Sequence, residues 1–98
     1  MAYRTIKRTT RPSADIPFYK HEQSIINYIN TTYVTTGKRI SNTVTLSEDG
    51  LTQTVTSIWA KGTFKEFRSD PQILTNIEAV DAHNLKHGIT TTWDKAEI

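Results

Sequence analysis

The stretch NTVTLSEDGLTQTVTSIW, Asn42 to Trp59, limits what this chain can fold into more than any other part of it. On one parity sit Val44 and Leu46, then Leu51, Val55 and Trp59. On the other sit Thr43, Thr45, Thr52, Thr54 and Thr56. Strict alternation of apolar residues and threonine at period two marks half-buried strands. Between them, Ser47-Glu48-Asp49-Gly50 supplies a polar turn with glycine where a positive φ is needed. Closing on that turn pairs Leu46 with Leu51, Val44 with Gln53 and Asn42 with Val55. The apolar residues then share one face, and the threonines form a cross-strand ladder on the other.

Ninety-eight residues make one domain, Met1 to Ile98. A chain of this size buries only about 60–65% of its extended surface, so its core is modest and association favours stability. Roughly one residue in six is threonine, and isoleucine outnumbers leucine, a balance that favours sheet. The absence of cysteine excludes disulfides, thiolate metal sites and cysteine nucleophiles. No apolar run approaches the roughly 20 residues of a membrane span, and Met1–Arg11 is too polar for a signal peptide. A cytoplasmic protein with no membrane contact is the expectation. A formal net charge of +2 demands no acidic partner.

Around the hairpin, the remaining elements follow from punctuation. YRTIKRTT, from Tyr3 to Thr10, reads as a first strand, ended by Arg11-Pro12. Asp15 and Pro17 suit a helix start, and Phe18, Ile25, Ile29 and Tyr33 give a stripe for a helix from about Pro17 to Tyr33, stopping by Gly37. The second strand begins near Arg39. After Trp59, Thr63-x-x-Glu66 has the spacing of a capping box, and Asp70-Pro71 is a second start signal that breaks the helix. Ile73, Leu74, Ile77, Val80 and Leu85 supply an apolar face, and Gly88 a C-terminal stop. Ile89–Trp93 reads as a short last strand and Asp94–Ile98 as a frayed tail. The order β-α-β-β-α-β predicts a ferredoxin-like α+β fold, a four-stranded antiparallel sheet with both helices on one face.

The segments SEDGLTQTVTSIWA and FKEFRSDP, with Trp59 followed by Phe64 and Phe67, resemble the strand-three-to-helix-two region of the antibiotic-biosynthesis-monooxygenase-like superfamily, the dimeric α+β barrels. The strong part of the resemblance covers Val44 to Leu74. It implies a homodimer with two sheets face to face. The superfamily includes cofactorless monooxygenases, haem-degrading enzymes, isomerases and members with no known reaction. The haem-degrading pattern is absent here. Phe67 stands at its tryptophan position, Asn76 or Ile77 near its histidine position, and the first strand has no asparagine.

Cofactorless oxidation needs an apolar pocket, aromatics that hold a substrate, and a base. Tyr28, Tyr33, Trp59, Phe67 and His83 are the candidate pocket-lining residues, with Trp93 beside them and His21 as another possible base. The competing reading makes Trp59 and Phe67 core. His83 and His87 have the i, i+4 spacing of two helix-borne metal ligands, but no third ligand is signalled, so neither a metal nor a cofactor is expected. Lys61–Phe67 matches the RNA-binding strand motif of RRM domains poorly, and Gly37-Lys38 lacks the rest of a phosphate loop. In the basic strand, Arg4 and Arg8 share one face and Lys7 and Arg11 the other, which disfavours nucleic acid. The leading expectation is a binding or accessory protein taking a small apolar or aromatic ligand. Its rivals are a cofactor-independent monooxygenase acting on a small aromatic compound and, behind it, a nucleic-acid-binding module using the basic strand.

Overall fold

Four eight-residue strands carry the threonine-rich segments: β1 (Tyr3–Thr10), β2 (Arg39–Leu46), β3 (Thr52–Trp59) and β4 (Thr90–Glu97). In the computed structural model, which describes Met1–Ile98, they form one sheet in the order β2-β3-β1-β4. Every neighbouring pair is antiparallel. The helices are α1 (Gln23–Ile29), which runs into a π-helical turn over Asn30–Val34, then α2 (Thr63–Ser69) and α3 (Pro71–His87). This is the ferredoxin-like arrangement that the order of elements predicts.

One sheet face carries Thr5, Ser57 and Trp59, all buried beneath the helical layer. The other carries Arg4, Ile6, Arg8, Thr54, Thr56, Thr92 and Asp94, and no element of the chain covers it. The parity argument from the hairpin therefore holds. Its register does not. Val44 pairs with Val55 and Leu46 with Gln53, two residues along from the expected partners. The cause lies in the turn. Just past the end of β2, Ser47 donates its N–H to the Thr52 carbonyl at 2.9 Å, and its hydroxyl accepts from the Thr52 N–H at 2.9 Å while donating to Asp49 at 2.6 Å. The loop is consequently Glu48–Leu51. A shift of two preserves every side chain's face. A bulge at Ile40 re-aligns the far end, where Arg39 meets Trp59.

Three further expectations need correction. The first helix begins at Gln23, not Pro17, because side chains from elsewhere hold the preceding segment extended. Arg11 donates to the Ile16 carbonyl at 3.0 Å and lies over the Phe18 ring, and His83 donates Nε2–H to the Pro17 carbonyl at 2.9 Å. The Thr63–Glu66 capping box does not form. Gly62, at φ +79°, precedes the helix, Thr63 donates its hydroxyl to the Lys38 and Ala60 carbonyls, and Glu66 is taken by Lys38. Finally, Asp94–Glu97 is not a tail but the second half of β4, paired with β1 as far as Tyr3 opposite Glu97. Strand-poor residues are drawn into the ladder by the long partner beside them, and the Arg8–Asp94 ion pair closes at 2.6 Å on the open face.

The break at Asp70-Pro71 and the stop at Gly88 stand as expected, Gly88 taking the left-handed conformation at φ +69°. Only eight residues are fully buried, chief among them Tyr33, Trp59 and Ile73. Trp59 stacks on Phe64 and Phe67 of α2, with centroids 5.2 and 4.9 Å away, and donates its indole N–H to the Thr5 hydroxyl at 3.0 Å. Trp59→Ala is expected to cost about 3–5 kcal/mol, read from denaturant unfolding. An unchanged midpoint would mean that the indole is not core.

Candidate functional site

Of the five candidate residues, four lie in one aromatic run. Tyr28 and Tyr33 meet edge to face with centroids 6.5 Å apart, Tyr33 meets Phe67 at 5.0 Å, and Phe67 meets Trp59. The run ends on a carboxylate. Tyr28 and Tyr33 both donate their hydroxyls to Asp70 Oδ2, at 2.5 and 2.6 Å, while Asp70 Oδ1 caps α3 by accepting from the Gln72 N–H at 2.9 Å. Burial raises the Asp70 pKa, but the bonds from Tyr28, Tyr33 and the Gln72 and Ile73 amides outweigh it and hold it below the usual value. The bond to Asp70, with burial second, raises Tyr28. Burial first, then Asp70, raises Tyr33 well above the ordinary tyrosine range. Each phenol thus stays protonated as a donor. With Tyr33 1% and Trp59 3% exposed, this part of the space between sheet and helices is filled by its own side chains.

His83 stands apart from the run. It packs on Tyr19, at 5.7 Å, and on His87, at 4.5 Å, with His21 on another side of Tyr19. No three histidine, aspartate or glutamate side chains converge as a metal site would need. A groove of about 270 Å³ beside this cluster is lined by Tyr19, Glu22, Ile25, Gln72 and Asn76, and is open to solvent. A second open cavity, about 220 Å³, lies between Tyr3, Phe64 and Glu97. Neither includes a residue of the aromatic run.

Next to that second cavity, β1, β4 and α2 assemble a group that the sequence reading did not single out. Trp93, 38% exposed, stands on the helix-covered face of β4, directly opposite Lys7 of β1. Three cations surround its ring: Lys95 Nζ at 5.3 Å, Lys7 Nζ at 5.6 Å and Arg68 Cζ at 5.7 Å. Phe64 closes one side, 6.2 Å from Trp93 and 5.5 Å from Lys95 Nζ. The two ion pairs of the chain, Arg8–Asp94 and Lys38–Glu66, leave all three cations unpaired. Lys7 is half-buried. Burial lowers its pKa, Arg68 adds to that, and Asp81 of α3 opposes both. The arrangement brings together an exposed indole, a neighbouring phenylalanine and three basic side chains, with burial lowering the pKa of one of them, Lys7.

No family model and no curated protein matches the chain by sequence. Solved structures do. SnoaB, a cofactor-independent oxygenase from Streptomyces nogalater, superposes with a TM-score of 0.68 at 14% identity, over 99% of this chain and 92% of its own. The antibiotic-biosynthesis-monooxygenase-like fold is the fold of this chain. A monooxygenase from the gene ActVA-Orf6 of Streptomyces coelicolor, in complex with nanaomycin D, superposes with a TM-score of 0.59 at 14% identity, over 98% and 88%. A Deinococcus radiodurans protein described as a monooxygenase of antibiotic biosynthesis gives 0.60 at 15% identity, over 97% and 91%. The resemblance carried by Trp59, Phe64 and Phe67 is therefore sound for the fold, and in this chain those three rings form the packed seam between sheet and helices.

Asp70→Ala removes the cap of α3 and an acceptor shared by two hydroxyls, and is expected to cost about 2–3 kcal/mol at neutral pH. The sign with pH follows from its lowered pKa. Its contribution is present above the ordinary carboxylate value of 3.8 and fades as pH falls through the lower folded value. The gap in urea midpoint between wild type and Asp70→Asn should therefore narrow below about pH 4. A gap that is constant from pH 7 to that point and beyond would contradict the bonded carboxylate.

Proposed function

We propose that this chain is a cofactor-independent monooxygenase-like enzyme acting on a small, electron-rich aromatic compound, bound where Trp93, Phe64 and Lys7 meet. The observation that carries this reading is Lys7 beside an exposed indole, a half-buried amine whose burial favours the neutral base. The oxygenases that share the fold support it as analogy, since a fold by itself hosts many chemistries.

The chemistry balances with substrate and dioxygen alone. Neutral Lys7 accepts the proton of a phenol, and the aryloxide passes one electron to dioxygen. The superoxide and aryloxyl radical so formed combine at a ring carbon as a peroxide anion, which takes the proton back from protonated Lys7 to become the hydroperoxide. Loss of water then leaves a quinone, so a naphthol and one O2 become a naphthoquinone and one H2O. In that loss of water, Lys7, neutral again, takes the proton of the same ring carbon as the O–O bond breaks and passes it to the departing hydroxide. Asp81 of α3 raises the pKa of this amine and Arg68 of α2 lowers it, while Lys95 of β4 lies over the same indole.

Oxygen uptake with a panel of hydroxynaphthalenes and anthrones, in the presence of a chelator, tests the reading. A quinone should appear in step with oxygen consumed, with a rate that rises with pH through a value below the ordinary lysine 10.5. Lys7→Met should lower kcat/KM by at least about 100-fold. Tight binding of several members with no oxygen uptake by any would return the chain to the binding or accessory reading.

We also propose that the protein is a homodimer. Its accessible surface is 6338 Å², against roughly 5,700 Å² for a folded monomer of this mass. The uncovered sheet face, with Ile6 and Ile58 among threonines, offers a flat surface for a second copy. Light scattering at micromolar concentration should give twice the chain mass. A persistent monomer would sink the proposal.

A further inference from the structure

The charge around Trp93 is one-sided in a way that packing does not require. Arg68, Lys95 and, in its protonated form, Lys7 lie within 6 Å of one ring centroid, and none makes an ion pair or a side-chain hydrogen bond. Two of the carboxylates closest in sequence are committed elsewhere. Asp94 lies between Trp93 and Lys95 in the chain, but β-strand alternation turns it to the open face, where it holds Arg8. Glu66 lies two positions before Arg68 and is held by Lys38. Asp81 faces Lys7 from α3 beyond ion-pair distance, and Glu97 lines the neighbouring cavity without pairing with any of the three.

Like charges gathered on one ring repel one another. Each cation–π contact returns only about 0.5–1 kcal/mol at an exposed position. An anion between the cations relieves that repulsion, and the aromatic walls of Trp93 and Phe64 restrict the anion to one carried on a flat ring. Lys7 is the deepest of the three and comes from the centre of the sheet. Arg68 and Lys95 are exposed and stand at the rim. A planar guanidinium fork with an ammonium beside it matches a carboxylate.

We infer that Arg68 and Lys95 form a carboxylate-recognition rim beside Trp93, so that the compound this site takes is an aromatic carboxylate, its ring against Trp93 and Phe64. The inference rests on the site proposed above but not on the reaction proposed there. Binding alone therefore tests it.

Under nitrogen, a hydroxynaphthoic acid and the naphthol that lacks only the carboxylate are titrated against the whole chain, with quenching of tryptophan emission as the readout and Trp93→Phe as the control for its origin. The acid should bind at least about 10-fold more tightly at low salt, with the advantage shrinking as salt rises. In Arg68→Gln/Lys95→Gln the ratio of the two dissociation constants should fall to near one, with naphthol affinity kept. Both side chains are exposed and unpaired, so the double variant should melt with the wild type. Equal affinities in wild type, or a preference that survives in the double variant, would overturn the inference. So would a single-stranded oligonucleotide that displaces the acid at lower concentration than the acid's own dissociation constant. Oxygen uptake with an uncharged naphthol and no preference for the acid would refute the rim while leaving the proposed reaction standing. A preference without oxygen uptake would do the reverse.

Discussion

Trp59 is where the sheet and the helical layer become one structure. Its indole reaches across β1 to the Thr5 hydroxyl, stacks on both phenylalanines of α2 and, through Phe67, touches Tyr33 at the end of the first helical segment. Tyr33 in turn bonds Asp70, which starts α3. Strand β1, helix α2 and, through Tyr33 and Asp70, the start of α3 are thus joined by one ring and its contacts. With so few buried residues, no second cluster of comparable size could replace it. The same contacts explain why the central part of the seam is filled. A tryptophan used as the mechanical link between layers leaves no room beside it for a ligand.

What remains open is the seam's outer margin, and there the distribution of carboxylates decides the electrostatics. The chain has nearly as many acidic as basic residues. Yet of the acids near Trp93, Asp94 points through the sheet to the opposite face and Glu66 binds Lys38, while Asp81 and Glu97 pair with none of its three basic neighbours. Net charge therefore says little about local potential. A nearly neutral domain carries a strongly basic corner because strand alternation and one helix-borne ion pair sort its acids away from that corner.

The sequence made several elements legible because their causes are local. The parity of Val44, Val55, Trp59 and the threonines set the faces of β2 and β3. Asp70-Pro71 set the break between α2 and α3, and Gly88 its end. Elements whose causes are distant were not legible. Phe18–Glu22 is extended because Arg11 and His83 hold its neighbours' carbonyls. Asp94–Glu97 is a strand because β1 lies beside it. Thr63 and Glu66 had the right spacing for a capping box, but Lys38 and its carbonyl competed for both side chains and won. Of the candidate site, the aromatic run was visible as residue types, while His83 proved to belong to a different cluster. The basic corner had one trace in the sequence. Lys7 shares the parity of Tyr3 and Thr5, and so falls on the helix-covered face, away from Arg4 and Arg8.

By itself, then, the sequence determined the order of elements, the face of each hairpin side chain and the aromatic residues of the seam, Trp59, Phe64 and Phe67. These depend on period-two alternation, turn glycines and caps, interactions that span a few residues. Only the tertiary structure decided which polar groups meet. Lys7 is separated from Arg68 and Lys95 by most of the chain, and the three come together because β4 pairs beside β1 while α2 packs on the same face. Charge pairing has no period along a chain. It is set by which strands become neighbours, and that is a property of the assembled sheet.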